Sequence, residues 1–416
     1  IQVGLVGSEM CIRDRNNIKL DFPILDKKIR DKAITYLDSA ASTQKPKQVI
    51  NSISEFLENS YENVHRGMNS LSIDATDLYE KSRDVAKNFI NSNSTNEIIF
   101  TRGATDSINI IANSLAEHLK EGDKIVVTEL EHHSNYLPWM NLCKKLGLEL
   151  KIIPISKDGI LSEDDIINNC DDSTKVLSLT HMSNVTGQIL DIKKIKKSIN
   201  KDTYVAVDGC QSIAHLKIDV KDLDCDFYSF SSHKLYGPSG IGIMYGKEDI
   251  LNKLNPPTLG GGMINEVSSN DFSYAMLPNK FEPGTPSIEA AIGFKTAMEY
   301  LTNNNYQDYF LNEKKLRSTL IEALREFKEV DIYGSNDDGN ATSIVSFNIK
   351  NQNFNDIATF LDQYGIMIRG GHHCCQPFMK KLGIPGSCRV SFGIYNDLND
   401  IDHFIDSLKK TLKLLQ

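Results

Sequence analysis

The chain reads as an α/β protein: a large, mostly parallel seven-stranded sheet covered on both faces, followed by a smaller α+β unit. Three observations carry that expectation. From about residue 80, short apolar runs alternate with helical stretches, the pattern of a parallel sheet whose crossovers are helices. Polar residues follow five of those runs and would gather at the carboxyl ends of the strands, where such sheets bind ligands. After Gly284-Thr285-Pro286 the alternation gives way to two long helices and then to further short strands.

The strand candidates of the sheet are 97–101, 124–128, 150–155, 175–180, 204–208, 226–230 and 240–245. Between them, stretches such as 107–119 and 136–146 place apolar residues at helical three- and four-residue spacing. The polar strand ends are Arg102-Gly103-Ala104-Thr105, Glu131-His132-His133, His181-Met182-Ser183-Asn184, Asp208-Gly209-Cys210-Gln211 and Ser231-Ser232-His233-Lys234. Beyond the break, helices are expected over 287–303, 306–328, 355–364 and 398–415, and strands over 342–349, 367–369 and 389–392. Residues 1–15 begin without Met and join no pattern that follows, and they lack the basic start and cleavage site of a signal peptide. They are read as a non-native leader.

Composition narrows the function. A formal net charge of −9 disfavours direct nucleic-acid binding, which needs clustered Lys and Arg. No apolar run approaches the roughly 20 residues that span a bilayer, so a soluble protein without a membrane partner is expected. The eight cysteines, at 11, 143, 170, 210, 225, 374, 375 and 388, show no framework spacing. Reduced thiols in a cytoplasmic protein are the expectation.

Two loops carry reactive groups. Ser231-Ser232-His233-Lys234-Leu235-Tyr236-Gly237-Pro238 presents a single lysine after an apolar run, and Arg369-Gly370-Gly371-His372-His373-Cys374-Cys375-Gln376-Pro377 presents a cysteine between histidines and glycines. A lysine able to form a Schiff base, with a distant cysteine able to be a thiolate, points to carbonyl-cofactor chemistry on sulfur. Four consecutive His and Cys residues do not close a zinc tetrahedron, whose ligand pairs are spaced apart, so no metal is expected.

The strand ends supply a cradle for such a cofactor. The Gly103-Ala104-Thr105 turn opens a helix, and its free N–H groups make an anion site; an ordinary N-cap is the plainer account. Asp208 ends the apolar run Tyr204-Val205-Ala206-Val207, where a lone carboxylate is costly unless it meets a cation such as a protonated pyridine nitrogen; a helix N-cap or a structural ion pair is the plainer account. His132 is placed to stack on a planar ring and to shuttle protons, or simply to be a hydrogen-bonded loop histidine. Together a phosphate turn, an acid for a ring nitrogen, a stacking histidine and a Schiff-base lysine describe pyridoxal 5′-phosphate.

Leu37-Asp38-Ser39-Ala40-Ala41, Val64-His65-Arg66-Gly67, Glu131-His132-His133, the run from Thr180 to Gly187, Asp208-Gly209-Cys210-Gln211, the Lys234 loop and the Cys374 loop occur in that order. In this the chain resembles the group II cysteine desulfurases of the SUF type, from about Asn16 to its end. The resemblance implies the PLP-dependent transferase fold type I, class V, with a large cofactor-binding domain over 36–284. A small domain of 16–35 and 285–416 would carry the catalytic cysteine loop. By the same resemblance Lys234 would hold the cofactor, Asp208 its ring nitrogen and Gln211 its phenolic oxygen, while His132 would stack on the ring with Asn184 beside it. Thr105 with the Ala104 amide, Ser231 and His233 would bind the phosphate, joined by Thr285 from a neighbouring subunit of a homodimer. Arg369 and Arg389 would face the substrate carboxylate, and Cys374 would be the nucleophile toward L-cysteine. Its persulfide would pass to a sulfur-acceptor protein of the SUF pathway for iron–sulfur cluster assembly, and selenocysteine lyase activity would use the same machinery.

The chain departs from the family pattern in three places. Cys375 stands where alanine usually follows the catalytic cysteine, Ala104 replaces the second threonine of the phosphate turn, and one residue is missing around Gly260-Gly261-Gly262-Met263-Ile264. A kynureninase-like hydrolase or an epimerase of class V would share the lysine and the aspartate but need no thiol. A metal-binding, non-enzymatic protein would use the His-Cys cluster alone.

Overall fold

The computed structural model describes residues 18–334 and 340–415; the leader expected at 1–15 lies outside them. All seven expected strands form, with ends shifted by at most two residues: β1 (Ile98–Thr101), β2 (Lys124–Thr128), β3 (Glu149–Ile153), β4 (Thr174–Thr180), β5 (Tyr204–Asp208), β6 (Phe227–Ser231) and β7 (Gly242–Gly246). They make one sheet in the order β1-β7-β6-β5-β4-β2-β3. Only β7 runs against its neighbours, pairing antiparallel with β1 and β6. Gly242 makes that insertion possible, because a Cβ there would lie 2.5 Å from the Gly103 Cα and 2.6 Å from the Phe230 carbonyl oxygen.

Alternation of side chains gives the sheet two buried faces. Ile99, Ile125, Val127, Val176, Ala206, Phe227 and Met244 pack on one side with helices α3 (Ala104–Leu115) and α4 (His133–Leu146). Ile98, Phe100, Val126, Leu177, Val205, Val207, Tyr228 and Phe230 pack on the other. Trp139 of α4 is fully buried in the first layer, and truncating such a side chain to alanine costs ~3–5 kcal/mol. Helices α1 (Lys47–Asn59) and α2 (Ser70–Phe89) lie against α5 (Ile288–Asn303) beside the second layer; neither was among the expected elements, although Val49, Ile53, Phe56 and Leu57 keep helical spacing.

A second sheet of four antiparallel strands has the order β8-β9-β11-β10: β8 (Val330–Tyr333), β9 (Ile344–Ile349), β10 (Arg369–Gly371) and β11 (Ser387–Ser391). Helices α6 (Tyr306–Arg325), α7 (Phe354–Asp362) and α8 (Leu398–Leu415) cover it with a core of Leu316, Leu320, Phe347, Ile357, Val390 and Phe404. The strand expected at 367–369 is broken at Ile368. Ile366–Met367 instead pairs parallel with Thr35–Tyr36, while Arg369–Gly371 pairs with β11. That break carries residues 35–39 to the edge of the second sheet, where Asp38 bridges to Ser391.

Candidate active site

A pocket of about 210 Å³ opens where the carboxyl ends of β2, β4, β5 and β6 meet the second sheet. It is lined by every expected site residue except Gln211 and Thr285: Ala104, Thr105, His132, Asn184, Asp208, Ser231, His233, Lys234, Arg369, Cys374 and Arg389. Residues as far apart in sequence as Ala40 and Arg389 therefore share one cavity.

Lys234 ends a single 3₁₀ turn, Ser232–Lys234, directly after β6. Among the described residues its ammonium has no hydrogen-bond or ion-pair partner, although the Asp208 carboxylate is close enough to feel its charge. Asp208 is buried at the end of β5, and one of its oxygens accepts a hydrogen bond from the Cys210 amide at 2.9 Å. Burial pushes its pKa up, opposed by Lys234 and by the Cys210 bonds. His132 is the N-cap of α4, and its Nδ1 accepts from the Ser134 amide at 3.1 Å. Burial and the nearby Lys234 push its pKa down to about 3, so the ring is neutral with its proton on Nε2.

At the other end, α3 begins beside Ser231. The Ala104 amide donates to Ser231 Oγ at 2.8 Å, and the Thr105 and Ser134 hydroxyls are 2.7 Å apart. Gly103 reaches this position with φ of +145°, a conformation strained for any side chain. The turn therefore offers a helix N-terminus, three hydroxyls and an amide to an anion. His233 lies beside it, with Nδ1 3.3 Å from Ser42 Oγ. Burial together with Lys234 pushes the His233 pKa down to about 4.

The opposite wall is cationic. Arg369 of β10 and Arg389 of β11 are directly paired across the strands. Arg389 is buried, and its Nη1 donates to the Asn184 carbonyl at 3.0 Å, while its Nε has no partner among the described residues. Both guanidinium groups bond to Asp38, a residue of the Leu37–Ala41 motif to which sequence reasoning attached no role. Its sequence signal is only an acid inside a small-residue run; the pairing of the arginines is set by strand register.

The cysteine loop crosses the mouth of the pocket. His373 and Cys374 have φ values of +51° and +53°, and the loop is pinned where Asn184 Nδ2 donates to the His373 carbonyl at 2.8 Å. The His133 amide donates to the Cys374 carbonyl at 2.7 Å, and the Cys374 amide donates to His372 Nδ1 at 3.0 Å. Cys374 is exposed. Cys375, its neighbour, is buried with Sγ 3.3 Å from the Glu131 carbonyl, and burial pushes its thiol pKa up.

Two expected residues stand apart. Gln211 is buried behind the pocket, its side-chain amide donating to the Ala40 carbonyl at 2.8 Å. Thr285 is exposed and lines a separate cleft with Phe100, Arg102 and Asp106. Its loop is anchored next door by Glu282, which pairs with the fully buried Arg83 at 2.6 Å and accepts from the Phe100 amide.

Residues 35–404 match the aminotransferase class-V family, and the chain belongs to it. Its cofactor is pyridoxal phosphate, and the cavity fits that group: a lysine without a partner among the described residues, a buried carboxylate and a helix N-terminus lie along one cavity. Within the family the chain is similar to proteins named probable cysteine desulfurase. It is 44% identical over 393 residues to one from Staphylococcus epidermidis, covering 94% of this chain and 95% of that one. It is 43% identical over 400 residues to one from Staphylococcus aureus, covering 96% and 97%. The solved cysteine desulfurase of Thermococcus onnurineus NA1 superposes with a TM-score of 0.91 at 36% identity, covering 96% of this chain and 98% of that one. The cysteine desulfurase CsdA of Escherichia coli superposes with a TM-score of 0.88 at 33% identity, with the same coverage.

Proposed function

We propose that this chain is a pyridoxal-phosphate-dependent cysteine desulfurase, which turns L-cysteine into L-alanine and retains the sulfur as a persulfide on Cys374. The observation that carries the reading is an exposed thiol held over a pocket that also contains a free lysine, a buried aspartate and two arginines. Bound at this site, pyridoxal phosphate supplies the electron sink that makes the substrate's Cα–H labile.

The chain's own residues do the rest. Lys234 would hold the cofactor, Asp208 would pair with its ring nitrogen and Gln211 with its phenolic oxygen. The Ala104 amide, Thr105, Ser231 and His233 would take its phosphate, joined by Thr285 of a second subunit. The exposure of Thr285 outside this pocket supports that assignment. His132, neutral with a proton on Nε2, would lie on the ring face and handle protons at the reacting end. Arg369 and Arg389 would hold the substrate carboxylate with Asn184 alongside. The Cys374 thiolate attacks the substrate Sγ: a sulfur–sulfur bond forms, the carbon–sulfur bond breaks with its electron pair left on carbon, and a proton completes alanine.

The same reading extends to a homodimer and to a division into a cofactor-binding domain at 36–284 and a small domain of 16–35 and 285–416. It includes transfer of the persulfide sulfur to a SUF-type acceptor protein for iron–sulfur cluster assembly in the cytoplasm, and activity on selenocysteine. Among the described residues no helix is long and apolar enough to cross a membrane. The test is production of alanine and sulfide from L-cysteine with and without a reductant. Equal amounts of both in the reduced reaction are expected, and a holoenzyme that forms no alanine would overturn the reading.

A further inference from the structure

Arg369 and Arg389 face each other across antiparallel strands, a placement in which like charges repel. Asp38 resolves it. One carboxylate oxygen accepts from Arg369 Nε at 3.2 Å and the other from Arg389 Nη2 at 3.1 Å, so a single acid bridges both guanidinium groups. The two arginines are not held alike. The Arg389 side chain is 3% exposed and also tied to the Asn184 carbonyl, whereas that of Arg369 is 51% exposed and Asp38 is its only hydrogen-bond partner among the described residues. Asp38 itself is fixed by main chain: the Ser39 amide donates to the Ser391 carbonyl, and the Ser391 amide to the Leu37 carbonyl.

From this arrangement we propose that Asp38 is a positioning residue for substrate recognition, acting through Arg369. It occupies the Nε edge of Arg369 and leaves the four Nη hydrogens, a planar fork suited to a carboxylate, directed by a fixed anchor. Without the anchor, repulsion from the immobile Arg389 turns the half-exposed Arg369 into solvent. The pocket then keeps one guanidinium group where it had two. The inference rests on the reading of this wall as the substrate-carboxylate site.

The experiment compares Asp38→Asn, Arg369→Ala, the double variant and Arg389→Gln as holoenzymes, by KM and kcat for L-cysteine and by spectral titration with L-alanine. Losing one charge-assisted contact predicts roughly a tenfold rise in KM and in the apparent Kd for L-alanine in Asp38→Asn, with kcat and cofactor content near parent values. The double variant should be no worse than Arg369→Ala, because both changes remove the same contact. Asp38→Glu, which keeps the anion, should recover part of the loss. An unchanged or lowered KM in Asp38→Asn, an additive double variant, or an Asp38→Asn chain that fails to fold would overturn the proposal. If Arg389→Gln also leaves KM and the L-alanine titration unchanged, it is the carboxylate-site reading beneath it that fails.

Discussion

Replacing Cys375 with alanine separates packing from chemistry at two adjacent thiols. Cys375 is fully buried, its Sγ lies 3.3 Å from the Glu131 carbonyl and 3.8 Å from that of Glu129, and burial holds it protonated. A protonated thiol out of solvent's reach is no nucleophile. The substitution removes one heavy atom from a packed wall, comparable to a core methylene, and costs roughly 1 kcal/mol. With an unfolding entropy of about 2.1 cal/mol/K per residue, a 416-residue chain would lose about 1 °C in its melting midpoint. Alanine formation under reductant should stay near the parent rate. Cys374→Ala should show the reverse, an unchanged midpoint because the side chain is exposed, and no alanine. After turnover without acceptor, fragment ions that divide Cys374 from Cys375 should carry the additional sulfur on Cys374. Finding it on Cys375, or losing activity in Cys375→Ala at an unchanged midpoint, would refute the reasoning.

Three further outcomes are expected. The purified protein should be yellow, and borohydride should fix the cofactor to the chain in the parent but not in Lys234→Ala, which should be inactive; peptide mapping reads this directly. Asp208→Asn should keep some cofactor yet lose on the order of 10²-fold in kcat, the range of a catalytic-group effect, and near-normal turnover would make Asp208 a purely structural residue. Stability should fall with acid. Burial lowers the pKa of His181 and His233 to about 4 and of His132 to about 3, below the unfolded value of 6.5. The unfolded chain therefore binds more protons, and the stability present above pH 6.5 is lost progressively as pH falls toward 4. Thermal midpoints of the cofactor-free protein across that window check the sign.

Much of the large sheet was legible because its strands are buried on both faces and read as short apolar runs bounded by polar ends. Val205-Ala206-Val207 ending in Asp208 is such a run, and it located both the strand and the acid. The reversed direction of β7 was not legible, since its apolar run looks like the others and only the close approach of Gly242 to Gly103 betrays it. At the site, His132, Asp208 and Lys234 share one pocket, each at or just beyond a strand end, whereas Gln211, three residues past the end of β5, does not line it. Asp38 was missed as a partner of both arginines because its contacts depend on the register of β10 against β11 and on the break at Ile368, neither of which leaves a local pattern. Motif position singled out Cys374, but the burial of Cys375 was not legible, because it depends on backbone angles that leave no pattern in the sequence. Two left-handed residues in succession turn the loop so that identical neighbours face solvent and core.

That last turn limits how sulfur can leave. Many thiol enzymes resolve an oxidised or sulfur-laden cysteine internally, by attack from a second thiol within reach. The two sulfurs here belong to consecutive residues, whose Cα atoms stand ~3.8 Å apart across a trans peptide, while disulfides usually need ~4.4–6.8 Å. Cys375 is also committed to the interior, held against the Glu131 carbonyl. Within this loop, therefore, no second thiol is placed to take up a sulfane sulfur that Cys374 would carry. A spare cysteine beside Cys374 would thus give the loop no discharge route of its own, and an emptying thiol would have to come from outside it.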